Sequence, residues 1–349
     1  RFYPDLFYDL ISSKKSKKKL GMDQRVFLRA LARYVSVYGC FSRGYGKCVA
    51  GDTLLFTSEG IKEIGEYFNY KKDNQESYII PELKLLNRYN KMEEVNAGIY
   101  SGLKRTKIIT TEEGYELEAS LNHPILIINQ NGTLEWKKAE LINENDYVVI
   151  NRRNNIWGSN TQLEVDMSKL DINRKINSNY TLPNKMTDEL ALIIGYLLGD
   201  GCLTRDDLFT LTNKDGDILE NYFNFWQNKL DAKIKHKDKY DYIIHSTYLR
   251  EYLNQIGLKK SNAFNKETPK CILTAPKNIV ANCIKGLFDT DGGISNSYLE
   301  YCTASKKMSK QIQTILLNFG IISTRKKKLN KKFNTYSYRI TIYGKNIDI

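Results

Sequence analysis

The chain has 349 residues, 41% hydrophobic, with 53 Lys and Arg against 40 Asp and Glu, a formal net charge of +13. That length predicts roughly two or three domains, and the basic excess suits a polyanionic partner, nucleic acid foremost. No apolar run reaches the ~18 residues of a membrane span. The opening Arg1-Phe2-Tyr3-Pro4 is not a secretory leader, and it lacks Met, so a piece of a longer reading frame is expected. Six cysteines without C-x-x-C spacing and three histidines argue against zinc. They fit a reducing, cytoplasmic location rather than secretion, with most cysteines buried as small hydrophobes.

Residues 1–47 read as a separate piece. Asp23 is a helix N-cap candidate, followed by Phe27, Ala30, Leu31, Tyr34 and Val35 at helical spacing. Ser42-Arg43-Gly44-Tyr45-Gly46-Lys47 looks like most of a phosphate-binding loop. Cys48 stands where that loop needs Ser or Thr, and Phe41 where it needs its first glycine. As a free-standing ATP site the loop is broken.

Residues 48–153 predict an all-β domain. Thr53–Thr57, Tyr115–Ala119 and Tyr147–Ile150 carry strand-type residues. Ser58-Glu59-Gly60, Asn131-Gly132 and Asn145-Asp146 supply the turns. Residues 154–187, rich in Asn, Ser and Lys, read as a linker.

Residues 188–349 predict an α+β domain built from an internal repeat. Ile193–Gly201 and Ile284–Gly292 are apolar runs ending in Asp-Gly, with Asp200 and Asp291 at equivalent places. At the same offset of 91 (291 − 200), Leu208 falls on Leu299 and Thr212 on Thr303. An amphipathic helix follows in each copy, Ile218–Leu230 and Gln311–Phe319, and then a basic, Tyr-rich strand pair, Lys233–His245 and Arg325–Tyr343. Two such units imply a pseudo-twofold domain in a monomer. Gly195 and Gly199, and Gly286 and Thr290, are each four apart and share a helix face. Small residues at that spacing let two helix backbones approach. Asp200 and Asp291 would then meet where two negative helix ends point, a place for a cation. A hard divalent cation on oxygen ligands can cut phosphodiesters.

The paired motifs resemble the LAGLIDADG (dodecapeptide) homing endonucleases. The resemblance implies Mg2+ bound by Asp200 and Asp291, double-stranded DNA as partner, and Lys266 as an active-site lysine that polarises water or stabilises phosphorane charge. A second such lysine would be Lys331 or Lys332. The basic strands would form the DNA-facing saddle, with Lys233, Lys235, Lys237 and Lys239 alternating along one face, mirrored by Lys326, Lys327, Lys328, Lys331 and Lys332. Two-stranded ribbons fit a major groove, and lysines take phosphates.

Cys48-Val49-Ala50-Gly51-Asp52-Thr53 resembles the first block of an intein. Ser120-Leu121-Asn122-His123-Pro124 resembles its T-x-x-H block with Ser in place of Thr. Trp136–Glu140 and Asp146–Val149 resemble the strands that follow in the horseshoe-shaped HINT fold. The resemblance covers about residues 48–349 and implies a self-splicing domain with an inserted endonuclease. Cys48 would attack the carbonyl of Lys47, His123 would protonate the departing amine, and Ser120 would orient the scissile peptide. Arg43–Lys47 resembles the phosphate loop of viral large terminases, making residues 1–47 an upstream host segment. The terminal splicing residues, His-Asn and the nucleophile after them, are expected beyond Ile349. The competing readings are a DNA-binding intein with an inactive nuclease, and a fragment of a DNA-packaging ATPase.

Overall fold

The computed structural model describes residues 48–68, 77–79, 82–152, 154–171, 180–295, 297–331 and 334–346. The helix and phosphate loop read within residues 1–47, and Lys332, lie outside the described residues. Among the described residues no helix is long and apolar enough to cross a membrane. Cys48 opens a compact unit that runs to Ile349.

Its first part is made of short antiparallel strands. These are β1 (Leu54–Thr57), β2 (Gly60–Glu63), β3 (Ser77–Ile79), β4 (Lys84–Leu86), β5 (Met92–Glu94) and β6 (Gly98–Tyr100), then β7 (Thr106–Thr110), β8 (Glu116–Ser120), β9 (Pro124–Ile128), β10 (Leu134–Lys138) and β11 (Tyr147–Val148). They divide among separate sheets, β2-β1-β4-β5, β10-β9-β11, β3-β6 and β7-β8. In β9 the period of two puts Ile125 and Ile127 inward, where they meet Ala139 and Ile142 in a small core. Ile61 on β2 belongs instead to the large core of the second part. The β-strand region therefore leans on its neighbour.

Residues 154–171 are not a free tether, as their polar composition suggests. Asn155 and Ile156 donate main-chain N–H groups to the Asn318 carbonyl and its Oδ1, at 3.2 and 3.0 Å. Trp157 packs on Phe319, ring centroids 4.4 Å apart, and Leu163 is buried. A short helix, α1 (Met167–Asp171), follows. Specific partners for the polar groups turn this stretch into a strap.

The second part holds two copies of one unit. The first runs α2 (Asp188–Gly199), β12 (Gly201–Cys202), β13 (Leu208–Thr212), α3 (Gly216–Phe223), β14 (Ile234–Asp238) and β15 (Asp241–His245). After α4 (Thr247–Gln255) and α5 (Lys270–Leu273) the second runs α6 (Lys277–Asp291), β16 (Gly292–Ser295), β17 (Tyr298–Thr303), α7 (Lys306–Phe319), β18 (Ser323–Asn330) and β19 (Thr335–Tyr343). The sheets have the same connectivity, β12-β13-β15-β14 and β16-β17-β19-β18, all antiparallel. This is an α+β architecture with internal duplication.

Several helices start at a capping side chain. The Thr187 hydroxyl accepts from Leu190 N–H at 3.2 Å and caps α2. Asp215 and Ser305 cap α3 and α7 in the same way. The amphipathic segment after β13 does not stay α-helical. It widens to a π-helix over Asn224–Lys229, which lets the consecutive Phe225 and Trp226 both enter the core.

Apolar all round, α2 is buried and packs along α6. Glycine sets the approach. A Cβ on Gly195 would lie 2.4 Å from the Cys283 carbonyl oxygen, and one on Gly286 would lie 2.5 Å from that of Leu192. Both obstacles are backbone, so neither can swing away. Gly195→Ala is expected to force the helices apart at a cost of about 3 kcal/mol, the upper range for overpacking. A urea midpoint unchanged from wild type would contradict this packing.

The cysteines do not follow the expectation that most are buried. Among the described ones only Cys283, in the α2–α6 seam, is buried; Cys202 is exposed, and Cys48, Cys271 and Cys302 are intermediate. Cys202 lies on the short strand β12 and Cys302 on β17, where the side chains between the inward-facing residues stay open to solvent.

Candidate active sites

The first site lies where α2 and α6 end. Asp200 is the C-cap of α2, and Asp291 is the last residue of α6. At this level a Cβ on Gly199 would lie 2.0 Å from Thr290 Oγ1 and 3.6 Å from Asp291 Oδ2. The missing side chain at Gly199 thus brings the tip of α6, with its carboxylate, against the tip of α2. Burial, and then the negative charge of Asp200, push the Asp291 carboxyl up to about 6, against the pull of Lys266. Asp200 is also raised, by burial, while Asn213 and Lys266 oppose the shift. Its Oδ2 accepts from Asn213 Nδ2 at 2.6 Å, and its carbonyl from Thr212 N–H at 3.2 Å. Two acids held this way resist sharing charge unless a cation joins them.

Lys266 lies beside this pair with its ammonium already engaged. Nζ donates to the carbonyls of Leu198, Gly199 and Gly201 at 2.8, 2.9 and 2.9 Å. Those three bonds match the three protons of an ammonium. Burial lowers the Lys266 pKa, although Asp291 and Asp200 pull it the other way. The side chain therefore braces the carbonyl end of α2 with positive charge. Lys266→Met keeps the apolar stem and strips the donors. It is expected to cost about 3 kcal/mol for the carbonyls left without them, read as a lower urea midpoint; an unchanged midpoint would contradict the brace.

The donors fit a small hard cation. Among the described residues no three His, Cys, Asp or Glu side chains cluster into a cage. Mg2+ does not need one, since it is commonly held by one or two carboxylates plus water and phosphate oxygens.

The saddle lysines are distributed unevenly. Phe209 and Leu211 point inward on β13, and the register places Lys235 opposite Ile243 and Thr210 on the other face. Lys233 precedes β14, Lys237 falls at a register shift, and Lys239 lies in the turn with its Nζ 5.2 Å from the Tyr240 ring centroid. The bulge breaks the strict alternation read from sequence. On β18 the buried Ser323 and Arg325 mark the inward face, so Lys326 and Lys328 point outward. Lys327 points the other way, 3.6 Å from the Tyr336 ring centroid. Lys331 follows the strand and is exposed. Arg339, opposite Lys326, was not singled out from sequence; it pairs with Glu300 at 3.0 Å.

A second site surrounds Cys48. Its main-chain N–H donates to Ser120 Oγ at 3.4 Å, and its carbonyl accepts from Ser120 N–H at 2.9 Å. Ser120 Oγ in turn donates to Asn122 Oδ1 at 3.0 Å. His123 is half-buried and donates its main-chain N–H to the Ser120 carbonyl at 2.9 Å. Sequence reasoning missed two neighbours of the thiol. Ser101 Oγ is 3.6 Å and Lys104 Nζ 3.8 Å from Cys48 Sγ. Neither belongs to a motif, so only the fold brings them there.

Residues 278–348 match the LAGLIDADG-like domain family, and that segment takes in α6 from its second residue, Asp291 and the second sheet. Over 310 residues the chain is 31% identical to the replication factor C small subunit of Methanocaldococcus jannaschii, covering 86% of this chain and 15% of that protein. It is 22% identical over 325 residues to the replicative DNA helicase DnaB of Rhodothermus marinus, covering 85% of this chain and 30% of that one. The chain thus spans less than half the length of these relatives. A solved structure of mesophilic variants from the homing endonuclease I-DmoI aligns with 46% of this chain and 92% of that one, at 18% identity and a TM-score of 0.34.

Proposed function

We propose that residues 188–349 are a site-specific DNA endonuclease of the LAGLIDADG homing type, carried within a self-splicing intein. The observation that carries the nuclease reading is the convergence of Asp200 and Asp291 at the tips of two close-packed helices, the second inside a LAGLIDADG-like segment. Mg2+, when bound, supplies charge neutralisation at the scissile phosphate and activation of water. The protein's part is positional. Asp200 and Asp291 hold the cation, Asn213 fixes Asp200, and Lys266 keeps positive charge beside both. Lys235, Lys326 and Lys328, on outward faces, contact duplex phosphates, with the other saddle lysines at the rim.

The splicing reading draws on a different observation. A replication factor and a helicase bear unrelated names, yet each matches about the same length of this chain over a minority of its own. One stretch shared by unlike proteins suits an insert that removes itself. The chemistry is an N-to-S acyl shift. The Cys48 thiol passes its proton to His123 as the sulfur bonds to the Lys47 carbonyl carbon; the Lys47–Cys48 C–N bond breaks; His123 hands that proton to the Cys48 nitrogen, which leaves as an amine. Ser120 Oγ, accepting from that nitrogen, orients the peptide. Residues 1–47 are then the upstream host segment, whose loop resembles that of a terminase-type ATPase.

The test is incubation of the chain with a plasmid library and Mg2+. Linear product from a subset of plasmids, lost with EDTA, is expected. Binding of duplex without any strand break would favour the inactive-nuclease alternative.

A further inference from the structure

The turn of the β7–β8 hairpin docks on the second repeat, with Gly114 buried. Arg325 N–H donates to the Glu113 carbonyl at 2.7 Å, and Gln313 Nε2 donates to the same oxygen at 2.9 Å. The Arg325 guanidinium donates to the Gly114 carbonyl through Nε and Nη2, at 3.1 and 2.9 Å. Nη2 also reaches Glu116 Oε2 at 3.1 Å, while Lys306 and Lys310 hold Oε1 at 3.0 and 2.8 Å. The Arg325 and Glu116 side chains are only 5% and 9% exposed. Gly114 has φ +84°, and a Cβ there would lie 2.1 Å from the Arg325 carbonyl oxygen. Such closeness across 209 residues of sequence (325 − 116) is a built contact.

The other end of the same strand holds the second site. β8 begins at Glu116 and ends at Ser120, about 13 Å away along an extended chain. Ala50 N–H donates to the Glu118 carbonyl at 2.9 Å, Val49 bridges Ala119, and Ser120 N–H donates to the Cys48 carbonyl at 2.9 Å. A five-residue strand thus joins an ion cluster on the LAGLIDADG-like half, centred on the buried Glu116–Arg325 pair, to the main chain at Cys48.

We propose that the nuclease half positions the Cys48 site. The Glu116–Arg325–Lys306–Lys310 cluster clamps one end of β8 so that its other end keeps Ser120 in register with Cys48. These are positioning residues, and the inference rests on the splicing reading for its effect on rate. Removing the Glu116 charge leaves three cations facing one another around a buried neutral group, which loosens this end of the strand.

The experiment compares the full chain with its Glu116→Gln and Gly114→Ala variants by two measurements. In hydrogen exchange, the amides of Ala50 and Ser120 are expected to exchange about tenfold faster or more in both variants, with α2 and α6 unchanged. In thiol-induced release of residues 1–47, both variants are expected to slow about tenfold, and Glu116→Asp to recover part of the rate. Unchanged protection of Ala50 and Ser120 would overturn the clamp. So would a uniform loss of protection that includes α2 and α6, or release at the wild-type rate despite locally lost protection. If the wild type itself releases nothing, the splicing reading falls, and the exchange measurement alone still decides whether the clamp holds β8.

Discussion

Asp200→Asn is expected to abolish Mg2+-dependent cleavage of duplex DNA, by about a thousandfold or more, with duplex binding retained. The substitution is nearly isosteric, so the hydrogen bond from Asn213 and the brace from Lys266 have little steric reason to change. What is lost is one of two negative charges. The remaining acid, Asp291, is buried and pushed up to about 6, and part of that rise comes from Asp200 itself. The variant therefore carries less repulsion and less attraction for a cation at once. A gel shift on the plasmid library, run beside the cleavage assay, separates lost chemistry from lost binding. Cleavage equal to wild type would remove Asp200 from the metal site.

The same electrostatics give a pH dependence. A folded-state pKa above the unfolded value means the folded, metal-free protein binds this proton more tightly. The associated stability is complete below the ordinary carboxylate value of 3.8 and is lost as pH rises through about 6. A bound divalent cation competes with that proton, so metal affinity is expected to rise across the same interval. Affinity that is flat from pH 4.5 to 7 would contradict the assignment of Asp291.

The second large effect concerns Cys48. Cys48→Ala is expected to stop thiol-induced release of residues 1–47 altogether, because no other atom can form the acyl–sulfur bond at that peptide. Ser120→Ala is expected to slow release rather than stop it. It removes the acceptor 3.4 Å from the Cys48 nitrogen, where the break is proposed, but leaves the thiol and His123 in place. Mass spectrometry of the released fragment reads both results. Release from Cys48→Ala at the wild-type rate would reject the acyl shift and point to proteolysis.

These predictions draw on features that differ in how readily a sequence shows them. The seam between α2 and α6 is written locally. Gly195, Gly199, Gly286 and Thr290 lie within short runs, and the close contact follows from absent side chains at helical spacing. The duplication is equally local, since equal offsets between strands and helices repeat along the chain. Asn213, by contrast, reaches Asp200 through the β13–α3 turn, and an Asn before a helix reads as ordinary capping. The engagement of Lys266 with three carbonyls depends on how α2 ends, which its own neighbours in sequence do not specify. The pairing of Arg325 with Glu116 was hidden further. Arg325 sits in a basic run that reads as a DNA-facing face, yet the two-residue alternation of β18 turns it inward while Lys326 and Lys328 face out. The lysine ladder on β14 failed for a similar reason, because a bulge at Lys237 shifts the register that the alternation assumed.

The most direct test of the cation account is calorimetric titration of the metal-free chain with Ca2+ at pH 7, wild type beside Asp200→Asn and Asp291→Asn. Saturable binding that weakens in each single variant is expected, since each removes one of the two carboxylates at the helix tips. Binding of unchanged affinity in both variants would place the cation elsewhere and leave the two helix tips without their shared task.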